Sequence, residues 1–329
     1  MEFKDKLNKF FSRLKVGALA ETKSHYHIYA DYIELVALVY NDYVSKSEIL
    51  DRLNDNGIEF EVEDKSIDGK IGSLAPEIDD KGRSYIDLSF EVLKDRQILF
   101  DTKYPFILDE NGLKIKEDIE EYHKQYIFLL ICSSLNFFKD VQNVLTTEFE
   151  LISEKVLKNY LPENATVLPF GNNSVFSGSA RDKIRQLGDL LNIHPTDIKE
   201  RDIEQIPVQS SKEEGLDLIG WIPFSDKIPN HLVVLVQCGC GKPWFGKRFE
   251  TSRYENFFSF YRQPPIHSLF IPYSLYKNDG IFHFSKNIIT PTLLFDRYRL
   301  MEYLVDYELD KLDSSLIVNR CIEFEEDIV

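Results

Sequence analysis

Residues 215–221, Gly-Leu-Asp-Leu-Ile-Gly-Trp, set a single carboxylate, Asp217, among apolar neighbours, and residues 232–238 run apolar until they end in Gln237 and Cys238. The first segment alternates as a strand, and the second reads as a strand buried on both faces. The connection at 222–231 holds two prolines and several polar residues. It is long enough to reverse the chain, so an antiparallel pair puts Asp217 beside Gln237. Beyond the second strand, Gly239 and Gly241 permit a tight turn, and residues 244–254 read as a helical stretch carrying Lys247, Arg248 and Arg253. A carboxylate, an amide oxygen and an ammonium group gathered at a strand end are what metal-assisted phosphodiester hydrolysis uses. The oxygens are hard donors for magnesium or manganese, and the ammonium stands near the attacked phosphate. Leaving Asp217 in a buried strand without a partner or cation is costly, which separates it from the chain's many other acids.

The Gly-x-Asp strand, followed by a strand ending in Glu or Gln with a lysine nearby, resembles the PD-(D/E)XK nuclease superfamily. More narrowly it resembles the restriction-endonuclease-like members of bacterial anti-phage defence. The matching stretches are 215–221 and 237–247, with a looser likeness at Phe170-Gly171, the helix after Ser179 and Tyr104-Pro105-Phe106. The resemblance implies an α/β (α+β) fold with a mixed central sheet flanked by helices. It also implies that Asp217 binds the metal, that Gln237 replaces the usual second acid, and that a lysine orients water or steadies developing charge. The Cys238 carbonyl is a further candidate ligand. The lysine expected two residues after Gln237 is absent, because Gly239 stands there. Lys247 is the first replacement and Lys242 the second, while Arg248 and Arg253 are candidate phosphate contacts.

Asp182, Asp189, Glu213 and Glu214 are candidates for a further acid, against the plainer reading that they belong to solvated faces. Arg297 and Arg299 are candidate phosphate contacts or ordinary ion-pair partners. The reading that follows is a metal-dependent endonuclease acting on DNA. The alternative is a catalytically inactive, nuclease-like subunit that senses or scaffolds another protein, since Gln in place of Glu removes charge from the metal site. Homo-oligomerisation fits either.

These residues need elements to hold them. With 329 residues, 43% of them hydrophobic, the chain has enough material for two cored domains, and its composition excludes disordered or collagen-like classes. The expected division is a mainly helical scaffold or recognition domain at 1–165 and a nuclease-like domain at 166–329. A formal charge of −16 repels polyphosphates, so DNA must meet a local basic patch. The longest apolar run, 126–132, is too short to cross a bilayer, and no secretory leader is evident. A cytoplasmic protein without a membrane partner is expected. Four cysteines make no disulfide framework, and the Cys238-x-Cys240 pair lacks the companions a zinc site needs.

Along the first half, residues 1–20 read as a basic amphipathic helix, and 29–53 as two helices, the second opened by a capping box at Ser45–Glu48. Residues 54–82 read as a solvated connection with a short strand at 58–62. Residues 84–93 and 97–99 read as strands, 104–106 as an extended corner and 115–138 as a long helix. In the second half, Ser179 caps a helix at 179–191, the aromatic stretch 257–276 is core, and a helix runs from 296 to about 309.

Overall fold

The computed structural model describes residues 26–40, 43–55, 74–171, 173–193, 198–208, 214–241, 244–260, 263–275 and 292–324. It shows a mixed α+β chain with two separate sheets, divided into two compact units. The first unit takes residues 1–142, 273–283 and 308–329, and the second takes 143–272 and 284–307. The expected single cut at 165 is therefore corrected. The helix before it lays Leu157, and just beyond it Leu161, against Gly220 of the second unit's sheet. The polar run at 159–165 is thus a surface connection inside that unit. The helix expected at 1–20 and the strand at 58–62 lie outside the described residues.

The first unit contains α1 (Tyr26–Tyr40), β1 (Val44–Ser45), α2 (Lys46–Asp55), α3 (Leu74–Phe100), β2 (Phe106–Leu108), β3 (Gly112–Ile115) and α4 (Glu121–Ser133), with the later helix Ser315–Ile322. Its three strands form an antiparallel sheet in the order β1-β3-β2. The capping box forms as expected: Glu48 N donates to Ser45 Oγ at 3.2 Å, and Ser45 N to Glu48 Oε2 at 2.7 Å. The strands expected at 84–93 and 97–99 are instead part of α3. Ile86, Ser89, Phe90, Val92, Leu93, Arg96 and Phe100 are buried on it, recurring every three to four residues, and that helical period overrides the local alternation. The expected helix at 115–138 is also shorter, because β3 claims Ile115 and the helix ends at Ser133.

Arg96 on α3 is the largest fully buried side chain of this unit. Its Nη1 donates to Glu34 Oε2 and Asp31 Oδ1 of α1, both at 2.8 Å. The Tyr104 and Tyr126 hydroxyls each donate to Glu34 Oε1 at 2.8 Å. Burial opposes the Arg96 charge, yet Glu34 and Asp31 raise its pKa well above the ordinary arginine value. The Tyr104 hydroxyl is likewise held far above its usual range, first by burial and then by the Glu34 charge.

The second unit contains α5 (Gln142–Tyr160), β4 (Thr166–Pro169), α6 (Ala180–Leu190), α7 (Glu200–Glu204), β5 (Leu218–Trp221), β6 (Val233–Cys238), α8 (Trp244–Lys247), α9 (Tyr254–Phe257), β7 (Ile266–Phe270), β8 (Leu293–Phe295) and α10 (Arg297–Tyr303). Its five-stranded sheet has the order β4-β5-β6-β7-β8, antiparallel from β4 to β6 and parallel from β6 to β8. β6 sits at the centre and is buried at every position, as its unbroken apolar run requires.

Ile219 and Trp221 of β5 and Val233 and Leu235 of β6 join an apolar cluster with Ile184 and Leu187 of α6 and with Tyr254 and Phe257 of α9. Gly220 points to the opposite face, where a Cβ would meet Leu161 Cδ1 at 2.8 Å. The Ser179 cap forms as expected, although the helical stretch at 244–254 breaks into α8, a 3-10 turn at Glu250–Arg253, and α9. The helix expected to reach 309 stops at Tyr303. Among the described residues no helix is long and apolar enough to cross a membrane.

Candidate active site

Pairing of Leu218 with Val236 sets Asp217 opposite Gln237 at the end of the β5–β6 ladder. The Asp217 main chain is tied on both sides: its N–H donates to Val236 O at 2.9 Å, and its carbonyl accepts from Phe170 N at 2.7 Å and Gly171 N at 2.9 Å. With the backbone fixed, the carboxylate is aimed at β6. Asp217 Oδ2 accepts from Gln237 Nε2 and from Cys238 N, each at 2.6 Å. The antiparallel juxtaposition expected from the two strand patterns is therefore present.

A second carboxylate joins it from α5. A Cβ placed on Gly171 would lie 2.9 Å from Glu150 Oε2 and 3.0 Å from Asp217 Oδ1, so the two acids flank this glycine and leave no room for a side chain. Glu150 is buried, as is Cys238. Burial raises the Cys238 thiol pKa well above the usual value, and the Asp217 and Glu150 charges push it further the same way. The thiol is therefore an inert neighbour rather than a nucleophile.

Lys247, at the end of α8, reaches back so that Nζ lies 3.3 Å from the Cys238 carbonyl. Gly239, where the resemblance would place the lysine, donates its N–H to Phe270 O at 2.8 Å, and a Cβ there would crowd Trp244 Cβ at 3.2 Å. The backbone at 239 is thus committed to the sheet and to Trp244, while the helix that Trp244 opens carries the ammonium group instead. Lys242 lies outside the described residues.

The donor set suits a hard divalent cation such as magnesium or manganese: two carboxylates, an amide and a main-chain carbonyl. Among the described residues no group of three or more His, Cys, Asp or Glu side chains stands ready to hold a metal, so the amide and the carbonyl must complete any such set. Gln237 provides the test of fit. Its Oε1 is buried yet accepts no hydrogen bond among the described residues, whereas Nε2 donates to Asp217 Oδ2 and, at 3.2 Å, to the Cys238 carbonyl. The amide nitrogen thus supplies positive character between two oxygens, where a cation would do the same with Oε1 turned toward it.

The other candidates are placed differently. Asp182 is corrected to a capping residue: its Oδ2 accepts from Ser179 N at 2.9 Å and from Ser179 Oγ at 2.6 Å, and these bonds hold its pKa below the usual carboxylate range. Asp189 is exposed on α6, and Glu214 pairs with Arg253 at 3.5 Å. Glu213 lies outside the described residues. Arg248 stacks on Phe245 and Phe249. Arg297 and Arg299 are corrected to structural roles, donating to the carbonyls of Pro272 and Leu294.

Glu150 is the functional candidate missed from the sequence. It is one of several acids on α5, and only the close approach at Gly171 sets it apart. A second polar chain was also missed, in which His267 lies 2.9 Å from Thr251 Oγ1 and 2.7 Å from Glu255 Oε1. Thr251 is only 1% exposed, so its hydroxyl anchors the ring rather than meeting a substrate. Comparison of the chain with protein-family models, with curated proteins and with solved structures finds no significant match.

Proposed function

We propose that the second unit is a metal-dependent endonuclease that hydrolyses DNA phosphodiester bonds, in keeping with the resemblance to restriction-endonuclease-like proteins of bacterial defence. The observation that carries this reading is one cluster. Asp217 and Gln237 meet at 2.6 Å at the end of two central strands, Glu150 and Asp217 flank Gly171, and Lys247 reaches the Cys238 carbonyl. A five-stranded mixed sheet flanked by helices also supports it.

Asp217, Glu150, Gln237 Oε1 and the Cys238 carbonyl would hold magnesium or manganese. When bound, such an ion polarises the phosphate and lowers the pKa of an attacking water. Lys247, extending from α8 over the strand end, places a fixed positive charge where the phosphorane oxygens gain negative charge.

The test is nicking of supercoiled plasmid in magnesium against chelator. Asp217→Ala is expected to lower the rate by about a thousandfold or more, in line with the several kcal/mol that a bound metal contributes. Unchanged cleavage would reject the assignment.

A second reading is favoured by the Gln237 amide itself, which already donates a hydrogen bond to Asp217 where an ion would otherwise stand. On that reading the unit is a non-cleaving scaffold or sensor for a protein partner. Nicking by the wild-type chain separates the two, and Gln237→Glu, which restores the acid and strengthens metal binding in either case, is the control. A wild-type protein that never cleaves, with or without a gain in the variant, favours the scaffold.

A further inference from the structure

The segment from Trp244 to Phe249, Trp-Phe-Gly-Lys-Arg-Phe, holds two cations and no acid in a chain whose formal charge is −16. Phe245 is 39% exposed and Phe249 49% exposed, whereas Trp244 is buried. The Arg248 guanidinium carbon lies 3.7 Å from the Phe245 ring centroid and 4.5 Å from that of Phe249. Trp244 meets the Phe245 ring edge-on at 5.8 Å and holds it in place. Gly246 adds no side chain, and a Cβ there would touch nothing within 4 Å, so the approach to the stack is open.

Two aromatic rings held in water by a guanidinium are an exposed stacking surface with its own positive charge. Bases in a duplex already have both faces stacked. An unpaired base does not, and it brings a phosphate that Arg248 attracts. An apolar peptide would have little use for a guanidinium between the rings, and a lipid headgroup presents no planar base to stack on them.

We propose that Phe245, Arg248 and Phe249 bind an unpaired base of a DNA strand. Lys247 lies within the same segment and reaches the Cys238 carbonyl, so a strand held on the stack is led toward Asp217. That destination rests on the nuclease reading, while the stack itself does not.

The experiment uses the full chain carrying Asp217→Asn, and fluorescence anisotropy with a labelled 20-residue DNA strand, its blunt duplex and an RNA strand of the same sequence, in chelator at fixed low salt. The single strand is expected to bind about tenfold or more tighter than the duplex. Phe245→Ala/Phe249→Ala is expected to weaken it by about tenfold to a hundredfold, as loss of base stacking does. Phe249→Leu, which keeps apolar bulk but not the ring plane, is expected to lose affinity as well, and thermal melting checks that each variant is folded. Equal affinity for duplex and strand, full binding by the leucine variant, or a tenfold preference for RNA would overturn the proposal.

Cleavage by the wild-type chain is scored separately. Ring-dependent strand binding without cleavage would sustain the stack and reject the nuclease reading. Duplex cleavage indifferent to both rings would do the reverse.

Discussion

Two clusters of acids, one in each unit, are completed in different ways. Around Arg96, Glu34 accepts from the guanidinium and from two tyrosine hydroxyls, and Asp31 shares the same nitrogen. One guanidinium and two tyrosine hydroxyls hold the two acids, so the cluster fastens α1 to α3 and to the chain after it. Around Asp217 the acids meet an amide, a main-chain N–H and, by way of a carbonyl, a single ammonium group. Gln237 Oε1 is left without a hydrogen-bond partner among the described residues. Carboxylates tied to a buried guanidinium signal architecture, whereas Asp217 is tied to neutral amide donors beside the Gln237 oxygen, the arrangement on which the metal-site proposal rests.

The sharpest way to break this contrast is Arg96→Met. It leaves Glu34 and Asp31 buried without their counter-charge and is expected to destabilise the first unit by about 3–5 kcal/mol in denaturant unfolding. A loss below about 1 kcal/mol would show that the cluster is not a closed ionic unit. Next is Lys247→Ala, expected to lower the plasmid-nicking rate by about a hundredfold with little change in melting temperature, since one electrostatic group is removed and no core is opened. Equal damage to stability and activity would move Lys247 into the architectural class. Tyr104→Phe should cost about 1–2 kcal/mol, the loss of one buried hydrogen bond to a charged acceptor, read by the same unfolding assay.

The smallest effect concerns pH. His123 accepts the Glu120 N–H on Nδ1 at 3.0 Å and lies 2.9 Å from Thr102 O through Nε2, an arrangement that suits the neutral ring. Burial lowers its pKa below 6.5. Its contribution is present above that value and fades as pH falls through the lower folded value, because the unfolded state then takes up the proton first. His123→Gln is expected to flatten the acid side of the first unit's stability profile slightly, and an unchanged profile would exclude His123 as its source.

Much of the Asp217 site was legible because strands repeat every two residues. A lone acid before one apolar strand and a polar amide ending the next must meet if the pair is antiparallel, and they do. With Gly239 at the strand end, a reach of Lys247 back to that end was also legible, and its Nζ lies 3.3 Å from the Cys238 carbonyl. Glu150 was not, since an acid on an amphipathic helix looks the same whether it faces water or a glycine just past the end of a strand. The α3 helix was misread because its stretch Ile-Asp-Leu-Ser-Phe-Glu-Val alternates over a few residues, and only a longer window shows the spacing of Ile86, Phe90 and Leu93. The unit boundary was hidden for a related reason: segments distant in sequence complete both units, and local composition carries no trace of that return.

The main chain at Asp217 is clasped by Val236 on one flank and by Phe170 and Gly171 on the other, with bonds that do not involve its side chain. Whatever group is installed there inherits the same location and bearing. Chemistry at 217 is thus separable from architecture, and a lineage could discard, restore or exchange the reactive group without rebuilding the sheet that presents it.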